Sequence, residues 1–171
     1  MTTSERPLGV MMVCLGNICR SPTAHGLLRE RLVTAGLGDA VEVASSGLGT
    51  WHLGAPPDPR AQATAAEHGI DISDLRAQKI TVDDLDAYDY VIAMDHDNHD
   101  DLMAMAEGHS DRQGRIHLLG DFSPQDAGRP VGDPYYGGDD GFTQVFEMID
   151  RCVAGLVAAL RDDLDSRASG H

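Results

Sequence analysis

The chain has 171 residues, a formal net charge of −15 and three cysteines. That length supports a single domain with one core; the charge repels nucleic acid and anionic membranes over most of the surface, and no apolar run reaches the roughly eighteen residues of a membrane-spanning helix. Three cysteines cannot all pair, and Met1 to Leu8 holds no apolar signal-peptide core, so a reduced, cytoplasmic protein is expected.

In chain order, Leu8 to Val13 is a continuous apolar run, the pattern of a strand buried on both faces. A helix is expected over Pro22 to Ala35, with Ala24, Leu27, Leu28 and Leu32 inward and Gly36 as its stop. Ser21 is a favoured N-cap and Pro22 a favoured first helical residue. Val41 to Ser45 reads as a second strand, and after the loop Ser46 to Pro57 the pair Asp58-Pro59 repeats the cap-then-proline signal for a helix ending at Gly69. Tyr90 to Met94 and Arg115 to Leu119 are further strands, with a helix over Asp97 to Ala106 between them. A Gly-, Pro- and Asp-rich loop spans Gly120 to Gly141, and Phe142, Val145, Phe146, Ile149, Val153, Leu156, Val157 and Leu160 recur at helical spacing up to Asp163. The alternation predicts an α/β fold: one domain over 8–164, with an open parallel four-stranded sheet flanked by helices on both faces. Residues 1–7 and 165–171 are expected to be flexible ends.

In such sheets ligands bind beyond the carboxyl ends of the strands. There the sequence places Cys14-Leu15-Gly16-Asn17-Ile18-Cys19-Arg20-Ser21-Pro22 between the first strand and first helix. A loop before a helix N-terminus offers unpaired amide donors and a positive dipole end, a setting for an anion and for an ionised thiol. The spacing Cys14-x5-Arg20 puts a sulfur nucleophile and a planar guanidinium at opposite ends of a loop that can close round a tetrahedral oxyanion. Gly16 lets the backbone approach it, Asn17 tolerates positive φ, and Ser21 is placed to hydrogen-bond the sulfur. A departing alkoxide or phenolate needs a proton donor, and Asp133, in a loop with Gly132, Pro134 and Gly137, is the candidate. Trp51, Tyr135 and Tyr136 lie in loops beside glycines and are candidate aromatic walls for a ring-bearing phosphate ester.

The string C-L-G-N-I-C-R-S-P, in this strand-to-helix context, closely resembles the phosphate loop of the low-molecular-weight protein tyrosine phosphatase family. The resemblance implies hydrolysis of phosphotyrosine and small aryl phosphates through a phosphocysteine, with Cys14 as nucleophile, Arg20 as phosphate clamp and Asp133, in D-P-Y-Y, as general acid and base. Leu15, Gly16, Asn17, Ile18, Cys19 and Ser21 would complete the phosphate loop. Substrates would be phosphotyrosine-containing proteins, the product inorganic phosphate, and no cofactor is implied. It also implies that a serine and a histidine hold Asn17, for which Ser46 and His68 look equivalent, that Asp95 supports the loops, and that Cys19 can form a disulfide with Cys14 on oxidation. Some members of the family are exported without a signal peptide, an alternative left open here.

Two other activities share this fold. Arsenate reductases need further cysteines after the second helix, and residues 58–100 hold none. Protein arginine phosphatases carry threonine where this chain has Ile18 and tend to lack the paired tyrosines. A catalytically dead phosphate-binding module would be expected to have lost Cys14 or Asp133. No metal is expected, since the histidines lack ligand spacing apart from His96 and His99 on an acidic helix start.

Overall fold

The computed structural model describes residues 7–134 and 139–169. The apolar run forms β1 (Leu8–Cys14), buried at all seven residues. It lies second in a four-stranded sheet of order β2-β1-β3-β4, with β2 at Val41–Gly47, β3 at Tyr90–Ala93 and β4 at Ile116–Leu118. Every pairing is parallel, and the register sets Cys14 opposite Gly47 and Val13 opposite Ala93.

Alternate residues of β1 feed two apolar layers, which is why the strand is apolar throughout rather than at every second position. Val10, Met12 and Cys14 face α1 (Arg20–Thr34), α2 (Pro59–Glu67) and α6 (Asp139–Ser169). Met11 and Val13 face Ile80, Leu85 of α3 (Val82–Ala87) and Leu102 of α4 (His96–Met105). The four-residue α5 (Ser110–Gln113) buries nothing. Helices thus cover both faces of an open parallel sheet, as expected.

Asp58 caps α2 by accepting from the amide of Arg60 at 2.8 Å, with Pro59 as the first helical residue. At α1 the start differs from expectation. The helix begins at Arg20, its N-cap position is Cys19, and Ser21 sits inside the first turn. The hydroxyl of Ser21 is committed to the Cys14 sulfur rather than to a helix amide, and Pro22 is tolerated in a first turn because its missing N–H would have had no partner there.

The short α3 was not legible in hydrophobic periodicity. Thr81 and Asp84 close a reciprocal capping box, Asp84 N to Thr81 Oγ1 at 3.3 Å and Thr81 N to Asp84 Oδ2 at 2.9 Å. The last helix runs 31 residues, so 165–169, expected as tail, are helical. Asp163 anchors that end, accepting from Tyr90 Oη at 2.6 Å and from Arg167 Nε at 2.9 Å. The flexible ends expected at 1–6 and 170–171 lie outside the described residues.

α6 crosses the 3-10 turn Leu119–Phe122 at Gly155, where a Cβ would overlap the Phe122 carbonyl oxygen. Glycine to alanine inside a helix normally gains about 1 kcal/mol. Here the obstacle is backbone, and overpacking of this kind costs about 1–3 kcal/mol, so Gly155→Ala is predicted to lower the urea midpoint. A raised midpoint would show that α6 can shift away from the turn.

Candidate active site

The loop between β1 and α1 wraps the Cys14 sulfur. The amide of Asn17 donates to Cys14 Sγ at 3.3 Å, and Ser21 Oγ lies 3.0 Å from it. Asn17 is at φ +58, the one positive-φ non-glycine among the described residues, as the sequence suggested. Its side chain bridges two segments: Nδ2 donates to Ser21 Oγ at 2.8 Å, and Oδ1 accepts from the Gln78 amide at 2.9 Å. The chain after β2 pairs along the same loop, Leu48 N to Cys14 O at 3.1 Å and Gly49 N to Leu15 O at 2.9 Å. That approach explains Gly47, where a Cβ would stand 2.8 Å from Leu15 O.

Arg20 is buried, with Nη1 donating to Asp95 Oδ2 at 2.6 Å and to Val131 O at 3.1 Å. Its Nη2 lies 3.8 Å from Asp133 Oδ2. Burial pulls the guanidinium pKa down, but Cys14, Asp95 and Asp133 outweigh it and hold the group above its ordinary value. Asp95 supports two elements at once, since its Oδ1 also accepts from the Asn98 amide as N-cap of α4. Val131 ties the Asp133 segment to the sheet, its amide donating to Met94 O at 2.8 Å.

A cleft of about 390 Å³ opens here, bringing Cys14, Leu15, Gly16, Ile18, Cys19 and Arg20 together with Trp51 and Asp133. His52, which the sequence reading missed, also lines it. Trp51 is 72% exposed, so it forms the rim rather than a wall. Tyr135 and Tyr136 lie outside the described residues. Cys19 is buried, and desolvation, with Asp58, Cys14 and Asp133 nearby, pushes its thiol up to about 12.

Neither the Ser46 hydroxyl nor the His68 ring hydrogen-bonds Asn17 among the described residues; its side chain is held by Ser21 and the Gln78 amide. Ser46 Oγ is buried without a hydrogen-bond partner among the described residues, and only its carbonyl accepts, weakly, from Ser21 Oγ at 3.4 Å. His68 ends α2, with its ring stacked on Phe146 at 4.2 Å and Nδ1 2.9 Å from Thr64 O. Ser45 and His25 stand behind Gln78, one position along the strand and one helix away. His25 Nδ1 lies 3.0 Å from Ser45 Oγ, and Gln78 Nε2 donates to Ser45 O at 2.8 Å. Because successive strand side chains face opposite ways, choosing the wrong serine of the adjacent pair selects the wrong face of the sheet. His25 stands four residues after Ser21, on the same buried helix face as Leu28 and Leu32; that spacing was the available signal. A chain of contacts therefore runs from His25 through Ser45, Gln78, Asn17 and Ser21 to the Cys14 sulfur.

Burial, reinforced by the Arg29 charge and only partly opposed by Asp74, lowers the His25 pKa to about 4. In the unfolded chain the ring titrates near its ordinary value of about 6.5. Between the two the unfolded state takes up a proton that the folded state refuses, so this contribution to stability is complete above about 6.5 and is lost as pH falls toward 4. The wild type should consequently lose more stability between pH 7 and 5 than His25→Gln does, measured by urea unfolding. Equal slopes would mean that His25 is not held neutral.

Residues 9–166 match the sequence family described as low molecular weight phosphotyrosine protein phosphatase. A low molecular weight protein-tyrosine-phosphatase of Streptomyces coelicolor is 40% identical over 162 residues, 94% of this chain and 98% of its own. Among solved structures, a protein tyrosine phosphatase from Entamoeba histolytica superposes with a TM-score of 0.86 at 28% identity, covering 91% of this chain and 98% of the other. A Drosophila arginine phosphatase superposes with a TM-score of 0.80 at 30% identity, covering 88% and 96%, so the fold alone does not choose which phosphorylated residue is the substrate. With 158 of its residues inside that family match and its anion-binding loop in place, the chain belongs to the low molecular weight phosphotyrosine protein phosphatase family.

Proposed function

We propose that the chain is a protein tyrosine phosphatase that hydrolyses phosphotyrosine and small aryl phosphates through a phosphocysteine. The observation that carries this reading is one cleft shared by Cys14, Arg20 and Asp133, with sulfur and guanidinium at the two ends of a single loop. Cys14 Sγ attacks phosphorus, the P–O bond to the phenol breaks, and Asp133 gives its proton to the leaving oxygen. Water then attacks phosphorus and passes its proton to Asp133, the S–P bond breaks, and inorganic phosphate leaves. Arg20 and the loop amides balance charge on the equatorial oxygens in both steps. Ser21 and the Asn17 amide keep the sulfur aimed, and Asp95 keeps Arg20 aimed. The chemistry draws on these side chains, the loop amides and water, and calls for no cofactor.

Ile18 favours phosphotyrosine over phosphoarginine: it lines the cleft with an apolar side chain and offers a guanidinium no partner. Arsenate reduction is disfavoured by the lack of cysteines over 58–100. All three cysteines are free thiols, which suits action in a reducing, cytoplasmic setting on phosphotyrosine-containing proteins.

Phosphate release from matched phosphotyrosine and phosphoarginine peptides, with EDTA present, tests the assignment. Phosphotyrosine should be preferred and Cys14→Ser should be inactive on both; a wild type that prefers phosphoarginine would overturn it. Asp133 is tested by leaving group. A phenol of pKa near 10 needs a proton far more than a nitrophenol does, and such help is commonly worth about 10² to 10⁴-fold. Asp133→Ala should therefore lose about that much on phosphotyrosine in single-turnover assays and much less on a nitrophenyl phosphate. Equal losses on both would make Asp133 structural.

A further inference from the structure

Asp126 carries a carboxylate that is completely buried, and no step of the reaction touches it. A buried charge is tolerated where it is paired, yet such a pair adds little net stability over apolar side chains of the same volume, so its use lies in what it fixes. The partner is Arg151 of α6, whose Nε donates to Asp126 Oδ2 and Nη2 to Oδ1, both at 3.1 Å. Two parallel bonds between planar groups set direction as well as distance. These bonds outweigh burial and hold the carboxyl below its ordinary value.

What the fork fixes is the chain that carries Asp133. Asp126 closes the 3-10 turn Pro124–Asp126, its amide donating to Ser123 O at 2.9 Å and its carbonyl accepting from Arg129 N at 2.8 Å. This turn packs onto Gly120 so closely that a Cβ there would overlap Arg129 O. Gly120 to Arg129 is thus one folded unit, and the Arg151 fork seats it on α6. Val131 then meets Arg20 and Met94, and Asp133 follows.

Beyond the acid the chain returns to the same helix. Pro134 lines a small cavity with Phe142 and Val145 of α6. Phe142 and Arg151 stand about 13 Å apart along that helix, at 1.5 Å per residue. The acid-bearing chain is therefore held against one rigid element at two separated points, one before Asp133 and one after it.

We infer that Asp126 and Arg151 are positioning residues for the general acid: their fork sets where the chain from Gly120 leaves α6, and with it the reach of the Asp133 carboxyl to the leaving oxygen. This rests on the reading of Asp133 as general acid given above.

The test is the ratio of single-turnover rates on a phosphotyrosine peptide and on a nitrophenyl phosphate, since the first needs a proton far more than the second. Partial unfolding, or a general loss of activity, cancels in that ratio. Misplacing a reacting group by about 1 Å can cost about 10²-fold. Asp126→Asn, which keeps the volume of the buried side chain, and Arg151→Met, at a half-exposed position, should each lower the ratio about tenfold. In an Asp133→Ala background, Asp126→Asn should leave the ratio where Asp133→Ala put it, because it acts through that carboxyl. Arg129→Ala, which removes an exposed cation 3.6 Å from Asp126 Oδ1, should keep the wild-type ratio. A wild-type ratio in either fork variant, an equal fall in Arg129→Ala, or a further fall on top of Asp133→Ala would overturn the positioning role and leave the acid assignment standing. Equal losses on the two substrates in Asp133→Ala would overturn the acid itself, and the role of the fork with it.

Discussion

The site depends on how Asn17 is held. A left-handed backbone at a non-glycine residue costs about 1–2 kcal/mol, and without it the chain could not turn its amide onto the Cys14 sulfur. Two side-chain hydrogen bonds, to Ser21 Oγ and from the Gln78 amide, offset that cost at about 1 kcal/mol each. They are also directional, so they fix the loop's shape besides its stability. Both partners are fixed in turn, Ser21 by α1 and Gln78 by its bonds to β2. The shape of the phosphate loop is therefore held by contacts from its neighbours.

Electrostatics follow from where that loop sits. In a chain of net charge −15, anion binding has to be local, and burial supplies the locality. Arg20 is buried, so its charge acts on an oxyanion in the cleft with little screening by water, while Asp95 and the Val131 carbonyl keep it from being an unpaired buried charge. The same contacts set the position of the proposed acid. Val131 accepts from Arg20 and donates to Met94, and Asp133 follows two residues later. Nucleophile and clamp thus come from the two ends of the loop between β1 and α1, and the acid from a segment tied to Met94, just beyond β3.

Much of this was legible in the sequence because it rests on local rules. The continuous apolar run of β1, the Asp58-Pro59 cap and the Cys14-x5-Arg20 loop each carry their signal within a few residues. What was not legible depends on which face a side chain takes. Ser45 and Ser46 are neighbours of one type, and only the register of β2 on β1 turns the first toward α1 and His25. His68 was the more conspicuous histidine, yet aromatic stacking on Phe146 occupies it. The start of α1 shifted for a related reason: the Ser21 hydroxyl had two possible jobs, and tertiary structure assigned it to sulfur. Trp51, expected as a wall, stands at the rim of the cleft, because exposure of a loop aromatic is decided by what packs beneath it, here Gly49.

The covalent step is the central claim, and it can be observed directly. The protein is mixed with a phosphotyrosine peptide, quenched in acid within the first turnover and digested, and the phosphoryl group is located by mass spectrometry. The account predicts a phosphoryl group on the sulfur of Cys14, formed at the rate at which the tyrosine peptide is released. Product formation without any phosphoenzyme, or a phosphoryl group on another residue, would contradict it.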